Sequence, residues 1–456
     1  MKGGKRSRAP RRASLIIYGR WRTKANAGKF RGRDHFRKSL MLLRLFAIVG
    51  PAYMLSQFLR NAVAVLAPEM AQELAIGSQE LGALAGAFFI AFAAAQLPLG
   101  IAFDRFGPRR VMAAMMVVNA LAVLAFALAD TARGLMWARA LMGIGCAPLL
   151  MGPLVIFARG FEQERFAGLT AVQLAVGNLG VLLATTPLAL AAEWFGWRGT
   201  LLFVAVLAAG LALLLWRAVP ERIGPHFLAA PRRESLAAGI SGVITLARDR
   251  RLWRILPLLF TGYGTIASIV ALWGGPYLAD VYGLDPVARG NILFLMAAGL
   301  VVGPLLYGPL DRRLNTRKWI VLPGAAMPVA ALLALAIIGR PPLWVLPALL
   351  VLVSINNGAF TVAVAHARAL YPEHAIGRGM TLANMAVMGG VGVLQPLSGA
   401  IAHWIAGGTA ADLPVVSYQG VFGFLGLVLA LTLAIYATAA DCPPRARANG
   451  AQQAEA

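Results

Sequence analysis

Twelve stretches of about twenty predominantly apolar residues follow one another along this chain, and no other feature limits its fold as severely. They lie near 43–67, 80–102, 109–129, 134–158, 168–192, 197–217, 253–279, 290–310, 319–339, 343–366, 378–402 and 419–439. An α-helix rising 1.5 Å per residue needs ~20 such residues to cross ~30 Å of hydrocarbon. Backbone polar groups in lipid must be satisfied internally, so the admissible folds are a helical bundle or a closed barrel. A barrel would show ten-residue segments of alternating polarity, and these are absent. The predicted fold class is therefore an all-α membrane protein with twelve transmembrane helices, and the lipid bilayer is its first partner.

Composition supports the same reading. Of 456 residues, 59% are apolar and only 13% charged, against roughly 25% charged in soluble domains. A chain so poor in charge could not cover its surface in water. Lys and Arg test the span count independently, because cytoplasmic loops collect them. With the N-terminus inside, thirty-six of the forty-two fall on one side; Arg133, Arg198, Arg289 and Arg340 fall opposite, and Arg60 and Arg139 lie within spans. An odd number of spans would destroy this asymmetry, so both termini are expected in the cytoplasm.

The net charge of +23 is concentrated in a basic arm. The expected division is an unstructured N-terminal tail (1–42), a six-helix bundle (43–217), a linker loop (218–252), a second six-helix bundle (253–439) and a tail (440–456). Met41, just before the first apolar run, is an alternative start. An arm preceding a membrane domain reads as a cytoplasmic tail, and no nucleic-acid partner is expected. Two cysteines and five scattered histidines make neither a disulfide framework nor a metal site. No cofactor is expected.

The two halves repeat. Asp104-Arg105 after helix 2 returns as Asp311-Arg312 after helix 8, and Thr186-Pro187-Leu188 in helix 5 returns as Gln395-Pro396-Leu397 in helix 11, at offsets of 207 and 209. Parallel repeats of this kind place a substrate site near the midplane between them.

The segment Gly100, Asp104, Arg105, Gly107, Arg109 and Arg110, with Arg139, Gly143 and Gly145 in helix 4, resembles the two sequence motifs of the major facilitator superfamily over residues from about 43 to 440. The resemblance implies a multi-pass protein of the bacterial inner (plasma) membrane. It also implies alternating access between two six-helix halves, and a gating latch formed by the first motif with Asp311 and Arg312. Helices 1, 4, 7 and 10 would line the central cavity. Helix 5 lacks the Gly-Pro pair that would complete the antiporter pattern.

An Arg inside a span costs at least ~2.5–3.5 kcal/mol and must face a partner or water. No acid occupies the middle of any span. Arg60 and Arg139 are therefore satisfied by carbonyls, hydroxyls, water or an anionic substrate, and Arg139 also fits a purely structural role. Tyr53, Gln57, Arg60 and Asn61 form one stripe of helix 1. Candidate partners for substrate are Gln173, Tyr263, Asn356, Asn357 and Asn384, each of which could instead bond a neighbouring helix. Asn178 and Gln395 belong to the same polar set. The expected function is secondary transport of a small organic anion or zwitterion (a carboxylate, amino acid derivative or short peptide) by a monomer. A receptor on the same fold and a carrier of neutral solutes are the alternatives. An enzyme would need a convergent nucleophile, base or metal set, and the spans hold none.

Overall fold

The computed structural model describes residues 14–160, 163–219, 245–246, 248–371, 376–408 and 413–443. Among these residues there is no β-strand, and ten segments are long and apolar enough to cross a membrane. Two further elements are consistent with the count of twelve. Helix 1 is the apolar C-terminal part of Ser14–Leu74. Helix 5 is Gln163–Leu183 continued by residues 186–195, and helix 6 is 197–218; the turn between them falls at Gly196, whose φ of 69° a side chain would oppose. Pro187 explains the interruption of helix 5, since its ring blocks helical continuation from the preceding turn.

The remaining elements are helix 2 (Ser78–Phe106), helix 3 (Pro108–Ala127) and helix 4 (Ala132–Cys146 and Pro148–Gly160). Helix 7 runs Leu256–Ser268, a π-helical turn Ile269–Trp273 and Gly274–Asp280. Helix 8 is Pro286–Tyr307, helix 9 Lys318–Ile338, helix 10 Leu346–Ile355 with Asn357–Leu370, helix 11 Ile376–Ile405 and helix 12 Val415–Ala437.

Two expectations change. The basic arm, expected to be unstructured, is continuous with helix 1 from Ser14 onward. At 61 residues this element is roughly 90 Å long, about three times the hydrocarbon thickness. The motif expected in a loop lies largely on helix: Gly100, Asp104 and Arg105 occupy the last turns of helix 2, and the turn itself is Gly107 (φ 79°) with Pro108 opening helix 3. Most of the expected linker, 220–244 and 247, lies outside the described residues.

Packing repeats with a shift of six helices. Helices 1 and 5, 2 and 4, and 3 and 6 pair in the first half; 7 and 11, 8 and 10, and 9 and 12 pair in the second. The contacts between halves obey the same shift, helix 2 against 11 and helix 8 against 5. Exposed tryptophans mark the two interfaces, Trp137, Trp194, Trp344 and Trp404 at one end and Trp216, Trp253 and Trp319 at the other, as amphipathic rings at headgroup level do.

Candidate functional site: a central cavity at Arg60

A cavity of about 260 Å³ lies between the halves, lined by helices 1, 4, 5, 7, 8, 10 and 11. Helix 1 supplies Tyr53, Gln57, Arg60 and Asn61, the whole of the stripe its spacing predicted. Tyr263, Asn178, Asn357 and Asn384 join them from the facing helices.

Arg60 is buried to 6% exposure yet reaches the cavity. Its guanidinium carbon sits 5.0 Å from the centroid of Phe92 and 5.8 Å from that of Phe89. These rings attract the cation through their quadrupoles and hold its plane in place. Its Nε has no hydrogen-bond partner, and none of the ion pairs among the described residues involves it. No Asp or Glu among the described residues lines the cavity. The site is thus electropositive, with unspent donor capacity on a planar fork that fits a carboxylate.

Three predicted site residues lie elsewhere. Arg139 is buried behind helix 1, where its Nη1 donates to the Leu59 carbonyl at 2.6 Å and its Nη2 to the Arg60 carbonyl at 3.1 Å, over the Phe88 ring. It orients the backbone that carries Arg60 instead of facing the cavity. Gln173 donates to the Val49 carbonyl at 3.0 Å and ties helix 5 to helix 1. Asn356 is buried beside the cavity-lining Asn357 but does not line the cavity itself. Arg139 and Gln173 thus bond a neighbouring helix, the alternative the sequence left open, while the buried Asn356 Oδ1 has no hydrogen-bond partner.

Other lining residues carry little polar signal: Leu150, Val181, Leu300, Phe360, Met380 and Met388. Their only mark in the sequence is spacing. Asn357, Phe360 and Val364 fall at i, i+3 and i+7 on helix 10, and the helix 11 residues recur at the same period. In a membrane helix such an apolar stripe reads equally as a lipid face.

The cavity is closed at the end holding the helix 1–2 turn. There Arg289 of helix 8 pairs with Glu69 of helix 1, and Thr186 donates to Asn291 at 2.9 Å. Helices 2 and 11 meet through glycines, Gly82 against the backbone of Gln395 and Gly399, where a Cβ would collide. Gly275 of helix 7 lies against the Ala64 carbonyl in the same way. At the opposite end, Arg109 stacks on Trp216 at 5.4 Å and Arg105 on Phe106 at 5.2 Å, all within the first half. Asp311 lies 3.8 Å from the Arg317 Nε. The side chains of Asp104 and Arg312, named for the latch, lie outside the described residues.

The Major Facilitator Superfamily family model matches residues 49–351 and 275–456. The chain is 28% identical over 299 residues to a probable L-galactonate transporter of Escherichia coli K12, a match covering 63% of this chain and 62% of that protein. It is 25% identical over 277 residues to the membrane sensor protein UhpC of Salmonella typhimurium, covering 56% and 61%. These matches span about three fifths of the length of both relatives. A bacterial homologue of the human lysosomal transporter Spinster, in an inward-facing and occupied conformation, superposes with a TM-score of 0.70 at 16% identity, covering 88% of this chain and 96% of that one.

Proposed function

The chain belongs to the major facilitator superfamily, and from that premise we propose that it is a secondary transporter of a small organic anion, with Arg60 as the anion-binding residue. The observation carrying the reading is a buried guanidinium at a cavity between two repeats, with a free Nε and no acidic neighbour among the described residues. A fixed charge at low dielectric attracts an anion more strongly than it would in water. The basic loops, read by the positive-inside rule, put the closed end on the outer face, so this state opens inward. Alternating access would then break the Glu69–Arg289 pair and close the inner end. The motif from Gly100 to Arg110, with Asp311 and Arg312, is proposed as the latch of that second state. Among the described residues no carboxylate lines the cavity for proton coupling, which favours exchange, facilitated diffusion or symport on the substrate's own acid group.

Uptake into vesicles reconstituted with the wild type or with Arg60→Gln tests this reading. The expected outcome is saturable uptake of an organic carboxylate that the substitution nearly abolishes, with no competition from the corresponding amide. Equal competition by the amide overturns the anion reading. The likeness to a sensor protein favours one second reading, a receptor that binds the anion without moving it; binding with no uptake would select it.

A further inference from the structure

The two walls of the cavity differ in chemistry. The first half presents Tyr53, Gln57, Arg60, Asn61 and Asn178. The second half presents Tyr263, Asn357 and Asn384 set in carbon and sulfur, with Phe360, Val364, Met380, Val387 and Met388 on the same cavity. Tyr263 and Phe360 extend this wall as a ring pair with centroids 5.5 Å apart and planes tilted by 37°. Methionine thioethers are polarizable and make favourable contacts with aromatic rings.

Hydrogen-bonding capacity in the cavity is already partly spent. Asn61 donates to the Gln57 carbonyl at 2.8 Å, and Asn357 to the Leu300 carbonyl at 3.0 Å. A polyhydroxylated acid would carry several hydroxyls into this space, and each hydroxyl buried without a partner is costly. Arg60 offers one charged fork, which suits one carboxylate.

Resting on the anion-carrier reading above, we propose that the substrate is an amphipathic monocarboxylate with a flat, apolar or aromatic body, its carboxylate on Arg60 and its body against Tyr263, Phe360 and the helix 11 methionines. The hydroxyl-rich sugar acids are the class this cavity disfavours.

The test uses the full-length protein in detergent and three probes: 3-phenylpropionate, its neutral amide and gluconate. A ligand of the native state raises the melting temperature with its concentration, which yields relative affinities. 3-Phenylpropionate is expected to stabilise the wild type at concentrations at least tenfold below those needed for gluconate. Phe360→Ala should weaken 3-phenylpropionate about tenfold or more while changing gluconate little, and Phe360→Leu should fall between. The comparison of probes on the wild type stands even where Phe360→Ala fails to fold. Gluconate binding as tightly as 3-phenylpropionate, with both lost in Arg60→Gln, overturns the aromatic body and leaves the anion reading intact. The amide binding as well as the acid overturns the anion reading and this inference together. No stabilisation by 3-phenylpropionate at any concentration also overturns the inference.

Discussion

Two buried arginines seventy-nine residues apart in sequence divide their work by where their guanidinium groups point. Arg139 spends its Nη atoms on the Leu59 and Arg60 carbonyls away from the cavity, whereas Arg60 lines the cavity; the Nε of each is without a hydrogen-bond partner. The same substitution should therefore give different outcomes. Arg60→Gln removes a charged hydrogen bond of ~1.5–3 kcal/mol, expected to weaken anion binding roughly ten- to a hundredfold. Arg60→Lys should lose part of this, because a point charge does not reproduce the fork. Titration of an organic acid against the melting temperature of each variant checks both. Arg139→Gln should instead lower stability, by on the order of 2–3 kcal/mol, and leave the preference for acid over amide unchanged. Altered discrimination in Arg139→Gln would return that residue to the binding site.

Among the helices, helix 9 shows how a terminus is completed by a distant part of the chain. Its N-cap position is Arg317, which supplies no capping side chain. Asp441, after helix 12, accepts from the Arg317 and Lys318 backbone N–H groups at 3.0 Å each and from the Thr316 hydroxyl, satisfying donors a helix start otherwise leaves open. Burial by itself would raise the Asp441 pKa, but the Lys318 N–H, the Thr316 hydroxyl and the Arg317 N–H together hold it below the ordinary carboxylate value. A carboxyl depressed in the folded state contributes stability above its unfolded pKa of ~3.9 and loses it as pH falls through the lowered folded value. Asp441→Asn is thus expected to lower the melting temperature at neutral pH, with the gap from wild type closing below about pH 4. A gap unchanged between pH 7 and pH 3.5 would count against the cap.

At the scale of the whole molecule, the helices of the two repeats pack against each other at the end holding the helix 1–2 turn. Glycine makes the closure possible, since Gly275 lets helix 7 lie directly on the helix 1 backbone at Ala64. Gly275→Ala adds a methyl group where a carbonyl oxygen stands. Overpacking of this kind costs about 1–3 kcal/mol, enough to move a two-state equilibrium roughly 5- to 150-fold. The expected outcome is a shift toward the state open at the other face. A membrane-impermeant thiol reagent applied from outside should label Asn61→Cys faster in the Gly275→Ala background. Unchanged labelling would mean that the closure is not held at this contact.

The all-helical membrane fold, the internal repeat, the family and the helix 1 stripe were legible in the chain itself. The reason is that lipid imposes rules that act on local composition: apolar length, loop charge and the period of polar residues within one helix. Tertiary structure alone decided which polar groups face the cavity. Arg139 and Gln173 look as available as Arg60 in the sequence, but each meets a carbonyl of helix 1, a partner set by the packing of helices 4 and 5. Phe360 and the helix 11 methionines were illegible for the converse reason. An apolar stripe has the same period whether it faces lipid, a neighbouring helix or a substrate, and only the juxtaposition of the two halves tells these apart.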